Sequence, residues 1–465
     1  MRKKGFLIYI SIAVALCLFT VFILNKGKLL EIGCNTHSLD AANSAPVTQF
    51  TTALCNNISA PVPLLLAQIA VILITGRLLG FLCTKVGQPR VMGEIIAGIA
   101  LGPSLAGHYF PAITTALFPV RSLPNLQFLG QMGIILFMFI TGMELDLAAL
   151  KHKTKHAVLI SQASILVPFT LGVGLAWFIY RTVASPGVPF FAFALFTGIA
   201  MSITAFPVLA RICQERGISN TPLGVLAITC AAADDIAAWC ILAVVIAIIK
   251  ALSVTAFLYS MLLILAYLLV MLKVVRPLLN YYRRQQIQKG HKGIPIAASV
   301  IMLILSAYTA EVIGIHALFG AFLAGAILPG DSAFRGVLIE RLKDVTLFLL
   351  LPLFFVFSGL RTQIGLLDTG MLWLVCGAIV LVAVSGKFLG SALTARWVGQ
   401  SWKDSLSIGA LMNTRGLMEL IVLNIGYDLG VITRQLFAIM VIMAVATTLM
   451  TGPALNLINK YAEKY

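Results

Sequence analysis

Charge is what this sequence has least of. Asp, Glu, Lys and Arg make up 11% of its 465 residues, against 60% hydrophobic residues. No soluble domain of any size can be cut from such a chain, so an all-α polytopic membrane protein is expected. Acidic residues are the scarcer sign, 17 against 33 basic, and the net charge of +16 would suit a nucleic-acid binder. The basic residues form no single patch, however. They sit in short loops between apolar spans, which argues against nucleic acid and fits the positive-inside pattern. Cysteine is sparse as well: the eight cysteines show no metal-ligand spacing. Cys83, Cys213, Cys230, Cys240 and Cys376 lie in or beside apolar spans and read as small core residues. Cys34 and Cys55 share one loop placed outside, where a disulfide is allowed. No cofactor is expected.

What is abundant is apolar length. Phe6–Leu24 follows Arg2, Lys3 and Lys4 and is either a signal peptide or an extra span; no clear small-residue cleavage site follows, which favours a retained helix. Residues 26–61 are polar and form an external loop, with a glycosylation sequon at Asn57-Ile58-Ser59. From Pro63 onward about thirteen apolar segments follow, near 62–83, 91–104, 125–145, 157–180, 190–213, 222–250, 254–274, 294–313, 316–329, 344–361, 370–395, 405–427 and 433–457. Several fall short of the roughly 20 residues that a full crossing needs. Alternate loops collect the basic residues, from Lys85 and Arg90 through Arg283 and Arg284 to Lys460 and Lys464. That side should be cytoplasmic, with the C-terminus inside and the protein in the cell (inner) membrane. If the span at 254–274 and the basic stretch Arg276–Lys292 are a connector, six spans precede it and six follow. The expected organisation is thus an N-terminal part (1–61), a first half (62–253), a connector (254–293) and a second, inverted half (294–465). No convincing residue-level repeat is visible, so the inversion rests on counting and topology.

The chemistry concentrates in few places. Leu223–Ile249 is long enough to cross a bilayer, and its only ionisable pair, Asp234 and Asp235, sits at its middle. A carboxylate at that depth costs about 2.5–3.5 kcal/mol on insertion scales, so the pair calls for a partner or a water-filled cavity. Satisfaction by a neighbouring helix is the bland alternative; an ion or proton site is the default. The fifth span of each half is interrupted. TGIAMSITAFPVLARIC (197–213) carries Ser202, Thr204 and Pro207, and a proline there frees the carbonyl of Ile203. SLSIGALMNTRGLMELIVLNIG (405–426) is broken by Asn413, Thr414, Arg415 and Gly416. One such helix would read as an ordinary kink, whereas two at matching positions point to a midplane site. Lys387 lies inside an apolar span, where a buried ammonium needs a partner, Asp234 or Asp235. Adjacent helical residues point about 100° apart, so one Asp can pair with Lys387 while the other faces a cavity near Thr204. Arg90 with Glu94 suits close helix packing, Glu144 and Asp146 read as caps, Arg415 and Glu419 at i, i+4 read as a structural ion pair, and His316 as structural.

Taken together, GQPRVMGEIIAGIALGPS (87–104), FMFITGMELD (137–146), SITAFPVLARI (202–212), AAADDIAAW (231–239), GIHALFGAFLAGAILP (314–329), LPLFFVFSGLRT (351–362) and MNTRGLMELIVLNIG (412–426) resemble the cation:proton antiporter-2 family, monovalent cation/proton exchangers. The resemblance covers roughly 62–458. It implies a homodimer with a dimerisation domain and a mobile core holding two crossed, broken helices, and elevator-like alternating access. It also implies that Asp235 is the main ligand of a transported Na+ or K+, with Asp234 and Thr204 beside it and Asp234 salt-bridged to Lys387. Asp-Asp with a lysine is the pattern of electrogenic members; electroneutral K+/H+ exchange is the alternative within the family. A cation channel or receptor fits two broken helices and Lys387 less well. An intramembrane aspartyl protease needs its aspartates on facing helices, so no enzyme is expected.

Overall fold

The computed structural model describes residues 54, 57, 58, 60–144, 155–219, 221–250, 254–288, 296–328 and 332–462. The apolar segment at 6–24, Cys34, Cys55, Ser59 of the sequon, Asp146, Lys289 and Lys292 lie outside them.

Peptide groups in hydrocarbon must be paired within the chain, and the helix does this segment by segment. Among the described residues every regular element is helical and there is no strand; one isolated bridge joins Ala184 and Ile432. In chain order the main helices are α1 (Pro61–Lys85), α2 (Arg90–Leu101), α3 (Leu123–Glu144), α4 (Lys155–Val183), α5 (Phe190–Ser202), α6 (Phe206–Glu215), α7 (Pro222–Lys250) and α8 (Val254–Val270). There follow α9 (Ile296–Ile313), α10 (Ala317–Ile327), α11 (Ser332–Val345), α12 (Leu351–Arg361), α13 (Gly370–Trp397), α14 (Trp402–Met412), α15 (Leu417–Asp428) and α16 (Arg434–Ala462). Ten helical stretches among the described residues are long and apolar enough to cross a membrane. Of the thirteen expected segments, the other three are the 11-residue α10 and the two pairs α5–α6 and α14–α15, each split near its middle.

Two boundaries differ from the sequence expectation, for one reason. The connector does not stop near residue 274 but runs on as helix through a π turn, Met271–Val275, to Gln288. The segment expected at 344–361 begins at Ser332 and passes through a second π turn, Thr346–Leu350. In both, a proline (Pro277, Pro352) lies two residues past the turn. Pro352 leaves the Phe348 carbonyl without its helical partner. Arg77 of α1 supplies one: Nη2 donates to that oxygen at 3.2 Å, and its guanidinium lies 4.6 Å from the Phe348 ring centroid.

The helices pack in two sets. In one, α2 and α3 lie on α12, and α10 on α3 and α9. In the other, α4 carries α5, α7 and α13, while α13 carries α14 and α16. Small residues bring the backbones of the first set together. A Cβ on Gly98 of α2 would stand 2.2 Å from the Val356 carbonyl oxygen of α12, and one on Gly142 of α3 2.2 Å from the Phe322 carbonyl oxygen of α10.

Candidate functional site

The site grows from the two interrupted helices. α5 ends at Ser202, Ile203–Ala205 is non-helical, and α6 starts at Phe206. Pro207 is the second residue of α6, where its missing donor costs nothing, so the expected kink at Ile203 is instead a full break. α14 ends at Met412, and α15 starts after Asn413–Gly416. The breaks touch: the Ala205 amide donates to the Thr414 carbonyl at 3.0 Å. At Gly416 a Cβ would meet the Val208 side chain at 3.1 Å, so the small residue lets the breaks approach.

α7 delivers the carboxylates to this crossing, and Asp234 and Asp235 are 0% and 2% exposed. Asp234 Oδ2 accepts from three donors: Ser164 Oγ (2.8 Å), Thr204 Oγ1 (2.6 Å) and Lys387 Nζ (3.2 Å). Lys387, wholly buried, also donates to the Ser164 carbonyl (3.0 Å) and the Ser202 carbonyl. An ammonium has three donors, so all of Lys387 is used. Asp235 contrasts with this. No side chain among the described residues donates to either of its oxygens, to Asp234 Oδ1 or to Asn413 Oδ1, and the Phe206 backbone at the start of α6 is the polar main-chain group that acts on Asp235. A buried ionised carboxylate in that state is costly, and a proton or a small cation relieves it. Thr204 keeps lone pairs free while its proton is on Asp234, so it can still act as an oxygen ligand. The Ser202 hydroxyl turns back to the Gly198 carbonyl (2.7 Å) and Thr414 Oγ1 to Leu411 (2.5 Å), leaving backbone as their contribution to the breaks.

The structure thus brings Asp234, Thr204, Ser202 and Lys387 into direct contact, with Asp235 next to them on α7 and the second break across from Ala205. Thr204 donates to Asp234, not to the carboxylate opposite the lysine as expected. Sequence reading missed Ser164, one of two buried serines on α4, which carries no local signal. It also missed the reach of Arg415. Beyond its 3.6 Å approach to Glu419, Arg415 donates from Nη1 to the Ala200 carbonyl (3.0 Å) and from Nη2 to the Met201 carbonyl (2.6 Å). Arg415 and Lys387 therefore hold the last three carbonyls of α5, where the helix dipole is negative. On the far side of the second break, Thr448 of α16 accepts from the Arg415 amide (3.1 Å) and donates to its carbonyl (2.7 Å).

Comparison with known proteins fits this geometry. Residues 69–460 match the family model described as sodium/hydrogen exchanger, transmembrane. The chain is 44% identical over 392 residues to Na(+)/H(+) antiporter NhaS4 of Synechocystis sp., covering 84% of this chain and 96% of that one. It is 38% identical over 417 residues to Cation/H(+) antiporter 18 of Arabidopsis thaliana and 33% identical over 419 residues to K(+)/H(+) antiporter 1 of Saccharomyces cerevisiae. Each of these two matches covers 88% of this chain, which spans about half the relative's length (50% and 48%). Among solved structures, the sodium proton antiporter MjNhaP1 from Methanocaldococcus jannaschii superposes with a TM-score of 0.63 at 14% identity, over 86% of this chain and 99% of that one, a likeness of fold. With its buried aspartate pair, its two breaks and these relatives, the chain belongs to the transmembrane sodium/hydrogen exchanger family of cation:proton antiporters.

Proposed function

We propose that this chain is a secondary active antiporter that exchanges Na+ or K+ for protons, and that Asp235 is the group the two ions share. The observation that carries the reading is the contrast inside one dipeptide: Asp234 Oδ2 accepts from Lys387, Thr204 and Ser164, while no side chain donates to either oxygen of buried Asp235. A carboxylate so placed takes a proton or a desolvated cation, one at a time, and that competition is sufficient for coupled exchange. Asp234 and Thr204 supply further oxygen. Lys387 pairs with Asp234 and orients it, the arrangement expected of an electrogenic exchanger; electroneutral K+/H+ exchange is the second reading.

Access by elevator-like movement is supported by the two ends of the molecule. At one end a cavity of about 210 Å³ is lined by Gln88, Arg216, Thr448 and Gly452. At the other, Arg361 of α12 pairs with Asp428 (2.8 Å) and Asn424 (3.0 Å) of α15 and with Gln127 (3.1 Å) of α3. With the cavity end cytoplasmic, the molecule is open at that cavity on the inside and bridged by Arg361 on the outside. Inverted halves are supported by matched contacts: Gly98 on Gly359 is repeated by Gly325 on Gly142. Thr141 and Ser358, each one residue before a member of these pairs, make the same back-bond four residues earlier, to Phe137 and Phe354. A homodimer with a cytoplasmic C-terminus in the inner membrane, surrounded by lipid, completes the reading.

The test is purified protein in liposomes with an internal pH dye, adding Na+, K+ or Li+ outside with and without a clamped potential. Cation-driven proton movement that responds to voltage is the expected result. Voltage-insensitive exchange would remove the unequal stoichiometry, and no cation-driven flux at any pH would remove the antiporter.

A further inference from the structure

The basic end of α1 holds a cavity apart from the aspartate site. It has a volume of about 200 Å³ and is lined by Gly76, Arg77, Gly80 and Phe81 of α1 and by Arg90 and Glu94 of α2. Glycines set the two helices close together. A Cβ on Gly93 would stand 2.3 Å from the Gly80 amide nitrogen, and one on Gly80 3.4 Å from the Arg90 carbonyl oxygen. The first turn of α2 therefore lies against α1, and two arginines line one cavity from two helices. Lys85, one turn beyond Phe81, stands 4.7 Å from that ring's centroid and adds a third cation beside it.

Little on the protein neutralises these cations. Arg77, Lys85 and Arg90 make no ion pair among the described residues. Arg77 donates from Nη2 to the Phe348 carbonyl, which leaves most of the five N–H groups of its guanidinium for another acceptor. Glu94, 8% exposed, brings one negative charge to the cavity wall and has a contact of its own. Three cations and one carboxylate thus leave this corner with a positive charge to match. The helix around it faces lipid: Ile74, Leu78, Phe81 and Leu82 of α1 are all exposed. Arg77 lies eight residues before Lys85, about 12 Å further into the span, where an arginine needs a partner or a route to the headgroups.

We propose that this cavity binds the headgroup phosphate of an anionic membrane lipid, with Arg77 and Arg90 as its donors, Lys85 at its edge and the acyl chains on the exposed apolar face of α1. A phosphodiester accepts paired, charge-assisted bonds from a guanidinium, so arginines on two helices can hold it from both sides. Its single negative charge offsets part of the local excess without overwhelming Glu94. A free phosphate has no chains to lie on Ile74 and Leu78, and a neutral lipid lacks the net charge. The basic end is also the end placed at the cytoplasmic leaflet, where anionic lipids meet basic pockets between helices.

The test is to titrate the purified protein in detergent with phosphatidylglycerol or phosphatidylcholine and to count bound lipids by native mass spectrometry. Wild type is expected to hold phosphatidylglycerol more tightly than phosphatidylcholine. Arg90→Gln should weaken phosphatidylglycerol about fivefold, and Arg77→Gln with Arg90→Gln about thirtyfold. Should the loss of Arg77 from the Phe348 carbonyl prevent folding, Lys85→Gln with Arg90→Gln keeps that bond and is expected to show a similar loss. Removing two exposed basic residues elsewhere at the same end, Lys403→Gln with Lys460→Gln, should leave the affinity unchanged. Equal affinity for the two lipids, unchanged binding in the cavity variants, or an equal loss in the Lys403 and Lys460 variant would overturn the proposal. Displacement of phosphatidylglycerol by glycerol phosphate would make the ligand a soluble anion and overturn the lipid assignment. Binding is read without transport, so neither result depends on the antiport reading.

Discussion

The two breaks share a plan and differ in chemistry. At the first, α7 presents Ala231-Ala232-Ala233-Asp234-Asp235 to Ile203–Ala205, and Thr204 donates to Asp234. At the second, α16 presents Ala444-Val445-Ala446-Thr447-Thr448 to Asn413–Gly416, and Thr448 bonds the Arg415 backbone. Acids stand at one break and hydroxyls at the other; a hydroxyl lines the first break where a guanidinium lines the second. A break has partial charges on its half-helix ends that need an ion. Arg415, tethered at the second break, joins Lys387 in holding the carbonyl end of α5 at the first. No tethered cation bonds Asp235 itself, and a charge that must be neutralised but is not tethered is one that can come and go.

The largest effect should follow from removing the untethered side of this contrast. Asp235→Asn keeps the shape and takes away the charge, so exchange should fall to the background of empty liposomes while the melting temperature holds or rises. Wild-type-like exchange in that variant would sink the site assignment. Next, Arg415→Ala strips the tethered cation, leaving Glu419 and the Ala200 and Met201 carbonyls unmatched. Losing one partner of a buried pair costs about 3–5 kcal/mol, and a thermal-unfolding series in detergent should show it as a large drop. Lys387→Ala should cut exchange less than Asp235→Asn, because Asp234 keeps Ser164 and Thr204 as donors. Exchange is expected to continue at a lower rate with an altered response to clamped voltage; an unchanged voltage response would place the charge movement elsewhere.

How much of this the residues announce depends on whether the signal is local. Asp234, Asp235 and Lys387 stand out because a charge inside an apolar run is conspicuous in one dimension, and both breaks are marked by Pro207 or by Asn413–Gly416. Contacts between helices leave no such mark. Ser164 looks like any small residue until α4 is laid against α7, and Arg415 with Glu419 reads as a private i, i+4 pair until α5 is found ending at the guanidinium. The helix extensions were hidden because polar and charged runs read as loop: the basic stretch past 274 and the charged residues before 344 are helical all the same. The likeness of Ala-Val-Ala-Thr-Thr to Ala-Ala-Ala-Asp-Asp is in the sequence. It becomes readable once both runs are seen at corresponding breaks, since Thr for Asp removes the charge that draws the eye.

The smallest expected effect tests that likeness most directly. Thr448→Val keeps the volume of the side chain and deletes its hydrogen bonds to the Arg415 amide and carbonyl. Side-chain hydrogen bonds between membrane helices are worth about 0.6 kcal/mol on average and about 1.7 at most, so the loss of stability should stay in that range. Arg415 itself still holds α5, so exchange should persist with the same cation preference. If instead Thr448→Val abolished exchange at full stability, the second break would be handling an ion as the first is proposed to do, and the contrast between a tethered and a mobile charge would have to be given up.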